Sequence, residues 1–373
     1  MNFEFSDEQN QLRDQAQAFL NDNCPPATVR KILEGDASYD KHLWESIANL
    51  GWLSTVIPES HGGLGLSYYE LVVIAEELGR ALAPIPFSSS VYLASEAILQ
   101  FGSDAQKQKW LPRIATGEAI GTFAFSEGAG RPSAASLKTS VTDGGVSGVK
   151  YPVADGDVAD VAVVVTTCES GDGASLYLVD LSDVQRDVVS TLDPSRSHAR
   201  LTFDKSTAEL LGPAGNGWVM TNQILDRAAV LFAWEQVGGA QAALEQAKAY
   251  AMERYAFGRP IAGFQAIKHK LANVYVKNTL ARSNGYYGAW ALDEDNAELP
   301  LAAATARVSA TQAFYFASKE NIQTHGGMGF TWEFDCQFFY RRAKLLSVNI
   351  GSESWWQDRL ITAYEQSNQA DAA

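Results

Sequence analysis

Apolar residues along this chain fall into three successive patterns, and each predicts its own kind of element. Up to about residue 117 they recur at intervals of three and four, as on amphipathic helices. Ser6-Asp-Glu-Gln9, Ser67-Tyr-Tyr-Glu70 and Ser103-Asp-Ala-Gln106 each set a hydroxyl three residues ahead of a Glu or Gln. That is the capping-box spacing, so helices are expected to start at those points. The glycine-rich stretch IPESHGGLGLS (57–67) lies between the first two, and Pro84, Pro86 and Ser88–Ser90 break the pattern before the next helix.

From about 118 to 215 the period changes. GTFAF (121–125), VADVAVVVTT (158–167), ASLYLVDL (174–181) and ARLTF (199–203) are short β-rich runs. Turn signals at Asp143-Gly144-Gly145 and Ser170-Gly-Asp-Gly173 separate them, and no helix-length pattern intervenes. A small antiparallel sheet or barrel is the simplest expectation. Beyond 216 the three-and-four spacing returns over longer segments, 218–255, 264–291, 299–323 and a last piece from about 352. Long helices with short connections predict an antiparallel bundle. The expected organisation is a helical domain over 1–117, a middle β domain over 118–215 and a helical bundle over 216–373.

Composition narrows the classes. At 373 residues, 46% hydrophobic and 20% charged, this is a globular chain too long for one ordinary core. Its 29 basic and 44 acidic residues leave a net charge of −15, which speaks against nucleic-acid or anionic-membrane surfaces. Cys24, Cys168 and Cys336 lie far apart without metal or disulfide spacing, so a cytoplasmic location is expected. The opening MNFEFSDEQNQL is too acidic and polar for a signal peptide, and no apolar run is long enough to span a membrane.

Two segments stand out chemically. In RYAFGRPIAGFQAIKHKLA (254–272), Arg254 is expected in the last turn of a helix ending near Phe257-Gly258, where a cation suits the dipole. In QTHGGMGFTWE (323–333), Gln323 closes a helix and Gly326-Gly327 allow positive φ or close approach by a ligand. Each has a bland reading as a helix terminus. In this order, however, R-x-x-F-G-x-x-I-x-x-F-Q followed by Q-x-x-G-G-x-G-F resembles the acyl-CoA dehydrogenase family. The likeness extends to Phe5-Ser-Asp-Glu-Gln9, to IPESHGGLGLSYYELVVIAEELGR (57–80) and to the three-part layout.

The resemblance implies a mainly α, α+β chain: N-terminal helices, a central antiparallel β domain and a C-terminal four-helix bundle. It implies α,β-dehydrogenation of an acyl-CoA thioester with FAD, in a dimer or tetramer whose FAD lies across a subunit interface. An electron-transfer flavoprotein is the implied acceptor, with O₂ an alternative. Arg254 would pair with the pyrophosphate, since a guanidinium can bond two phosphate oxygens at once. Phe257 and Gln265 belong to the same surface, and Gln323, Gly326 and Gly327 would approach the adenosine arm. Phe123-Ala-Phe-Ser126-Glu127 matches the family's flavin-contacting pattern, with Phe123 and Ser126 as the implied contacts. Departures follow. Arg131-Pro132 replace the usual Ser-Asp, and in GVKYPVAD (148–155) Pro152 and Ala154 stand where many members have tryptophan and threonine.

The implied base is also missing. Aligning Arg341-Arg-Ala-Lys344 and Gly351 on the family pattern puts Ile350 where many members carry a glutamate. The alternative position, on the first long bundle helix, falls on Ala228 or Ala229. Glu353 follows Ser352 and reads as a first-turn acid; Asp226 lies within a turn of Ala229, and Glu235 further along. Glu353 and Asp226 are the carboxylate candidates, while the backbone N–H of residue 350 survives as an oxyanion donor whatever the side chain. His325 is better placed for the cofactor arm, and His61 has no evident partner. Two alternatives stay open: a non-catalytic partner subunit of a heteromer that contributes half of the FAD site, and a flavin-free helical interaction protein.

Overall fold

A computed structural model describes residues 5–168 and 173–371, so Ser170–Asp172 of the expected turn lie outside the described residues. The helices are α1 (Asp7–Asn23), α2 (Pro26–Glu34), α3 (Lys41–Asn49), α4 (Tyr68–Arg80), α5 (Glu96–Phe101) and α6 (Asp104–Ala115). They continue with α7 (Gly217–Glu253), α8 (Gln265–Asp293), α9 (Leu299–His325), α10 (Cys336–Leu346) and α11 (Glu353–Asp371). Ser88–Ser95, just before α5, is π-helical. The Ser6 and Ser103 boxes form as expected, with Gln9 and Gln106 returning to the cap backbone. α4 begins at Tyr68, whose N–H is taken by Asp293 Oδ1 at 2.8 Å. α10 lies outside the expected helices, and its buried residues include Cys336, Phe338, Leu345 and Leu346.

Strands β1 (Gly121–Ala124), β2 (Ser140–Thr142), β3 (Gly145–Ala154), β4 (Val161–Thr167), β5 (Ala174–Asp180), β6 (Gln185–Val188) and β7 (His198–Leu211) form one sheet. Its order is β1-β4-β5-β7-β3-β2, with β6 also on β7. The pairings are antiparallel except β1 on β4, which runs parallel with Gly121 opposite Val161. A parallel pair needs a crossover, and the chain between Phe125 and Asp160 provides it.

The described residues form two compact units. The bundle unit gathers the chain through Lys31, Tyr68–Ala83 and the chain from Ala229 onward; the sheet unit comprises Ile32–Ser67 and Pro84–Ala228. In the sheet unit, Val161–Val165 of β4 are buried on both faces, hence the unbroken apolar run. In the bundle unit, α4 lies backbone to backbone on α7. A Cβ on Gly79 would come within 1.9 Å of the Glu235 carbonyl, and one on Gly238 within 1.9 Å of the Glu76 carbonyl. Residues Ala229–Val237 of α7 are buried all round, as expected of a central helix.

Candidate cofactor and active site

Arg254 does not stand in the last turn of α7 but is the first residue after it. A hairpin follows, β8 (Tyr255–Ala256) on β9 (Arg259–Pro260). Its two-residue loop, Phe257-Gly258, has φ of 51° and 79°. Both central residues with positive φ match the tight hairpin turns that suit strand twist, and this local geometry ended the helix earlier than periodicity suggested. Phe257 is 96% exposed, with its ring edge toward Phe264 at 6.2 Å. The Ile261 N–H returns to the Arg254 carbonyl at 2.8 Å, and α8 then starts at Gln265.

α9 runs two residues past Gln323, to His325, and Gly326 follows with φ of 61°. His325 stacks on Tyr250 of α7 with ring centroids 4.1 Å apart, and its Nδ1 lies 2.9 Å from the Asn321 carbonyl. Burial holds its imidazole below the usual range. The histidine is thus a packing residue, and its stack joins the C-terminal ends of α7 and α9. The fold thereby brings the two sequence segments together.

Arg254, Gln265 and Gln323 are exposed, and no side-chain hydrogen bond or ion pair engages them among the described residues. A Cβ on Gly326 or Gly327 would meet nothing within 4 Å. Unbonded donors around open space are what a phosphate-bearing ligand needs, so these residues fit the pyrophosphate and adenosine arm of FAD.

In the sheet unit, the second pattern also closes on itself. Tyr151 N–H donates to the Ser126 carbonyl at 2.8 Å, and Thr122 Oγ1 donates to the Ala154 carbonyl at 2.6 Å. Phe123–Glu127 therefore lies against Tyr151–Ala154, the two stretches where flavin contacts are implied. Ser126 Oγ donates to the Gly128 carbonyl at 3.3 Å, while Phe123 is buried beside Phe125. Glu127 anchors the loop: it accepts from Lys138 N–H at 2.7 Å, Thr139 N–H at 3.0 Å and Lys150 Nζ at 2.8 Å. Burial pushes the Lys150 ammonium down to about 8, partly opposed by Glu127.

Ile350 sits in the turn joining α10 to α11, in the bundle unit, and is buried. Its N–H makes no hydrogen bond among the described residues, although Asn349 and Gly351 N–H both bond back to α10 and the turn. Its carbonyl accepts from Trp356 Nε1 at 3.1 Å. From α9, Arg307 clamps the same turn, donating to the Leu346 carbonyl and, at 3.1 Å, to Asn349 Oδ1. Its other arm donates to Gln236 Oε1 at 2.8 Å. Burial drives this guanidinium down to about 9, against the pull of Glu235.

The candidate carboxylates have separate surroundings. Glu353 is the first residue of α11 and accepts from Gln312 and Gln357 Nε2 at 2.8 and 3.0 Å, while Ser352 Oγ caps the helix by accepting from Trp355 N–H. Asp226 is buried on α7 beside Arg227, which pairs with Glu96 within the sheet unit. Glu235 is buried 3.7 Å from Arg342. Arg307 and Trp356 are functional candidates beyond those singled out from sequence; an arginine inside LAAATARVSATQAF was the available signal for the first.

Comparisons with known proteins agree with this geometry. Residues 6–118 match the family description "Acyl-CoA dehydrogenase, N-terminal domain", and residues 215–361 match "Acyl-CoA dehydrogenase, C-terminal domain". The chain is 33% identical to acyl-CoA dehydrogenase IpdE2 of Mycobacterium tuberculosis, over 90% of this chain and 91% of that one. Among solved structures it superposes on a chain of the Tcur3481–Tcur3483 steroid ACAD with a TM-score of 0.88 and 27% identity, covering 97% of this chain and 99% of that one. A chain from work on the electron transferring flavoprotein of Acidaminococcus fermentans gives a TM-score of 0.91 at 25% identity, covering 98% and 99%. This chain belongs to the acyl-CoA dehydrogenase family.

Proposed function

We propose that this chain is an FAD-dependent acyl-CoA dehydrogenase, of a kind lacking a glutamate at the position held by Ile350. FAD supplies the hydride acceptor for a reaction in which an acyl-CoA thioester loses hydrogen from its α and β carbons. Arg254, Phe257, Gln265, Gln323, Gly326 and Gly327 would hold the pyrophosphate and adenosine arm, and Phe123 and Ser126 the flavin end. The observation that carries this is the set of three unbonded polar side chains, Arg254, Gln265 and Gln323, at the ends of α7, α8 and α9, with α7 and α9 joined by the Tyr250–His325 stack. At the reacting end, the free Ile350 N–H would donate to the thioester carbonyl as negative charge develops there. The α-proton would pass to Asp226 or Glu353, the latter already engaged by two glutamines.

The three-domain division over 1–117, 118–215 and 216–373 belongs to the same proposal. Assembly does too: Tyr275, Val276 and Leu280 leave an exposed apolar stripe on α8, of the kind that marks a protein–protein contact. The named pair Tcur3481–Tcur3483 makes a two-protein assembly a reasonable form, and its steroid substrate class joins fatty acyl chains as a candidate. An electron-transfer flavoprotein is the proposed acceptor, and a cytoplasmic setting accords with three cysteines not joined by disulfides. No helix among the described residues is long and apolar enough to cross a membrane.

The test is the visible spectrum of the purified protein, titrated anaerobically with a panel of acyl-CoA thioesters. Bleaching of bound flavin by at least one member is expected. Arg254→Ala should weaken FAD retention about tenfold to a hundredfold, the loss of a charge-assisted phosphate contact. Unchanged retention in the assembled variant would remove Arg254 from the site. Asp226→Asn and Glu353→Gln then decide the base, since only one should abolish bleaching while leaving flavin bound.

A further inference from the structure

The bundle unit contains a cleft of 440 Å³ that has no part in the reading above. α1, α2 and the connection between them, α4, α7 and the start of α10 enclose it. Leu20, Cys24, Val29 and Phe338 make a buried apolar floor, while Asn21, Glu245 and Ala249 stand exposed at the mouth. Into that floor α4 brings one carboxyl group. Glu77 is 3% exposed, and its Oε2 has no hydrogen-bond partner among the described residues. The cation beside it, Arg80, has its Nε 3.9 Å away, and its terminal nitrogens are both taken by Glu245.

A buried acceptor without a donor costs free energy, so either water or a ligand is expected to satisfy it. Burial and the neighbouring Glu76 push the Glu77 carboxyl up to about 7, with Arg80, Arg13 and Arg282 opposing. The surrounding charges decide what kind of ligand fits. Arg282 forks onto Glu76, Arg13 lies 3.6 Å from Glu76, and Arg80 holds Glu245. With Glu77 ionised, Glu76, Glu77 and Glu245 balance Arg13, Arg80 and Arg282. A charged guest would upset that balance in a poorly solvated place, whereas an uncharged donor would not.

We infer that this cleft binds an uncharged alcohol with an apolar body, the hydroxyl donating to the Glu77 carboxylate and the body lying on Leu20, Val29 and Phe338. The volume is at the lower end of the range for small-molecule pockets, and apolar walls with one convergent polar group are their usual lining. Binding here is independent of the acyl-CoA reading, since none of the residues proposed for FAD or for the Ile350 turn lines the cleft.

The experiment is calorimetric titration of the holoenzyme at pH 8, where Glu77 is ionised. The probes are decahydro-2-naphthol, the matching ketone 2-decalone, which accepts but does not donate, and decahydronaphthalene-2-carboxylate. Saturable binding of the alcohol is expected, with the ketone and the carboxylate at least about tenfold weaker. Glu77→Met should weaken the alcohol by a similar factor. Ala249→Trp, which blocks the mouth, should abolish binding while the flavin spectrum and turnover stay unchanged. No saturable heat, a ketone as tight as the alcohol, or full affinity in Glu77→Met overturns the inference. Should Glu77→Met fail to fold, the ketone comparison and Ala249→Trp decide it.

Discussion

Around Arg254 and Gln265 the polar side chains are exposed and unbonded, whereas around Ile350 the polar groups are buried and tied to one another. Both regions belong to the bundle unit, so the contrast is local. A surface that waits for a charged ligand keeps its donors free, because any internal partner would have to be displaced on binding. A turn that presents one N–H to a reacting carbonyl needs the opposite, a position held before the substrate arrives. Arg307, Trp356 and Gly351 supply that hold.

The contrast breaks most sharply at Gly351. Its φ is 113°, and a Cβ there would lie 1.7 Å from Trp355 Cε3. Gly351→Ala should cost about 4 kcal/mol in denaturant unfolding, combining backbone strain with overpacking. A loss below 1 kcal/mol would show that the turn yields easily. Arg307→Met comes next. It strands the Leu346 carbonyl, Asn349 and Gln236 in a buried place, and about 3 kcal/mol is expected. Turnover should fall further than acyl-CoA affinity; an equal fall in both would make Arg307 a purely structural residue.

Glu77 gives a pH-dependent effect. Its folded pKa, about 7, lies above the ordinary 4.5, so the folded state binds the proton more tightly than the unfolded chain does. The resulting stabilisation is present at low pH and is lost as pH rises toward and through 7. Glu77→Gln should therefore stabilise the protein by about 3 kcal/mol at pH 8 and by much less at pH 5. Equal unfolding midpoints of variant and parent at both pH values would refute this. The smallest change is expected of Glu353→Gln, under about 1 kcal/mol, since a first-turn acid contributes little beyond the dipole. Unfolding and flavin bleaching, measured on the same sample, separate that role from the base.

Local signals carried a large share of the fold. The Ser6 and Ser103 capping boxes needed only residues three apart, and the runs at 158–167 and 174–181 became β4 and β5 because burial on both faces leaves their centres almost wholly apolar. The hairpin at Phe257-Gly258 was less legible, since a phenylalanine at positive φ is unusual. The parallel pairing of β1 with β4 was not legible at all, as the two strands are far apart in sequence. The glycines after His325 point toward a cofactor arm, but its partner Tyr250 lies 75 positions earlier and only packing reveals the stack.

By itself the sequence determined the helix starts, the switch from helical to β periodicity near residue 118, and the residue types that resemble a phosphate-binding surface. These depend on neighbours within a few positions, where spacing alone sets which side chains meet. Tertiary structure alone decided that Arg254, Gln265 and Gln323 are left unbonded, that Arg307 clamps the Ile350 turn, and that Glu77 lacks a donor above an apolar floor. Each is a matter of burial and of partners brought from distant positions, and no spacing rule along a chain encodes which polar group will find one.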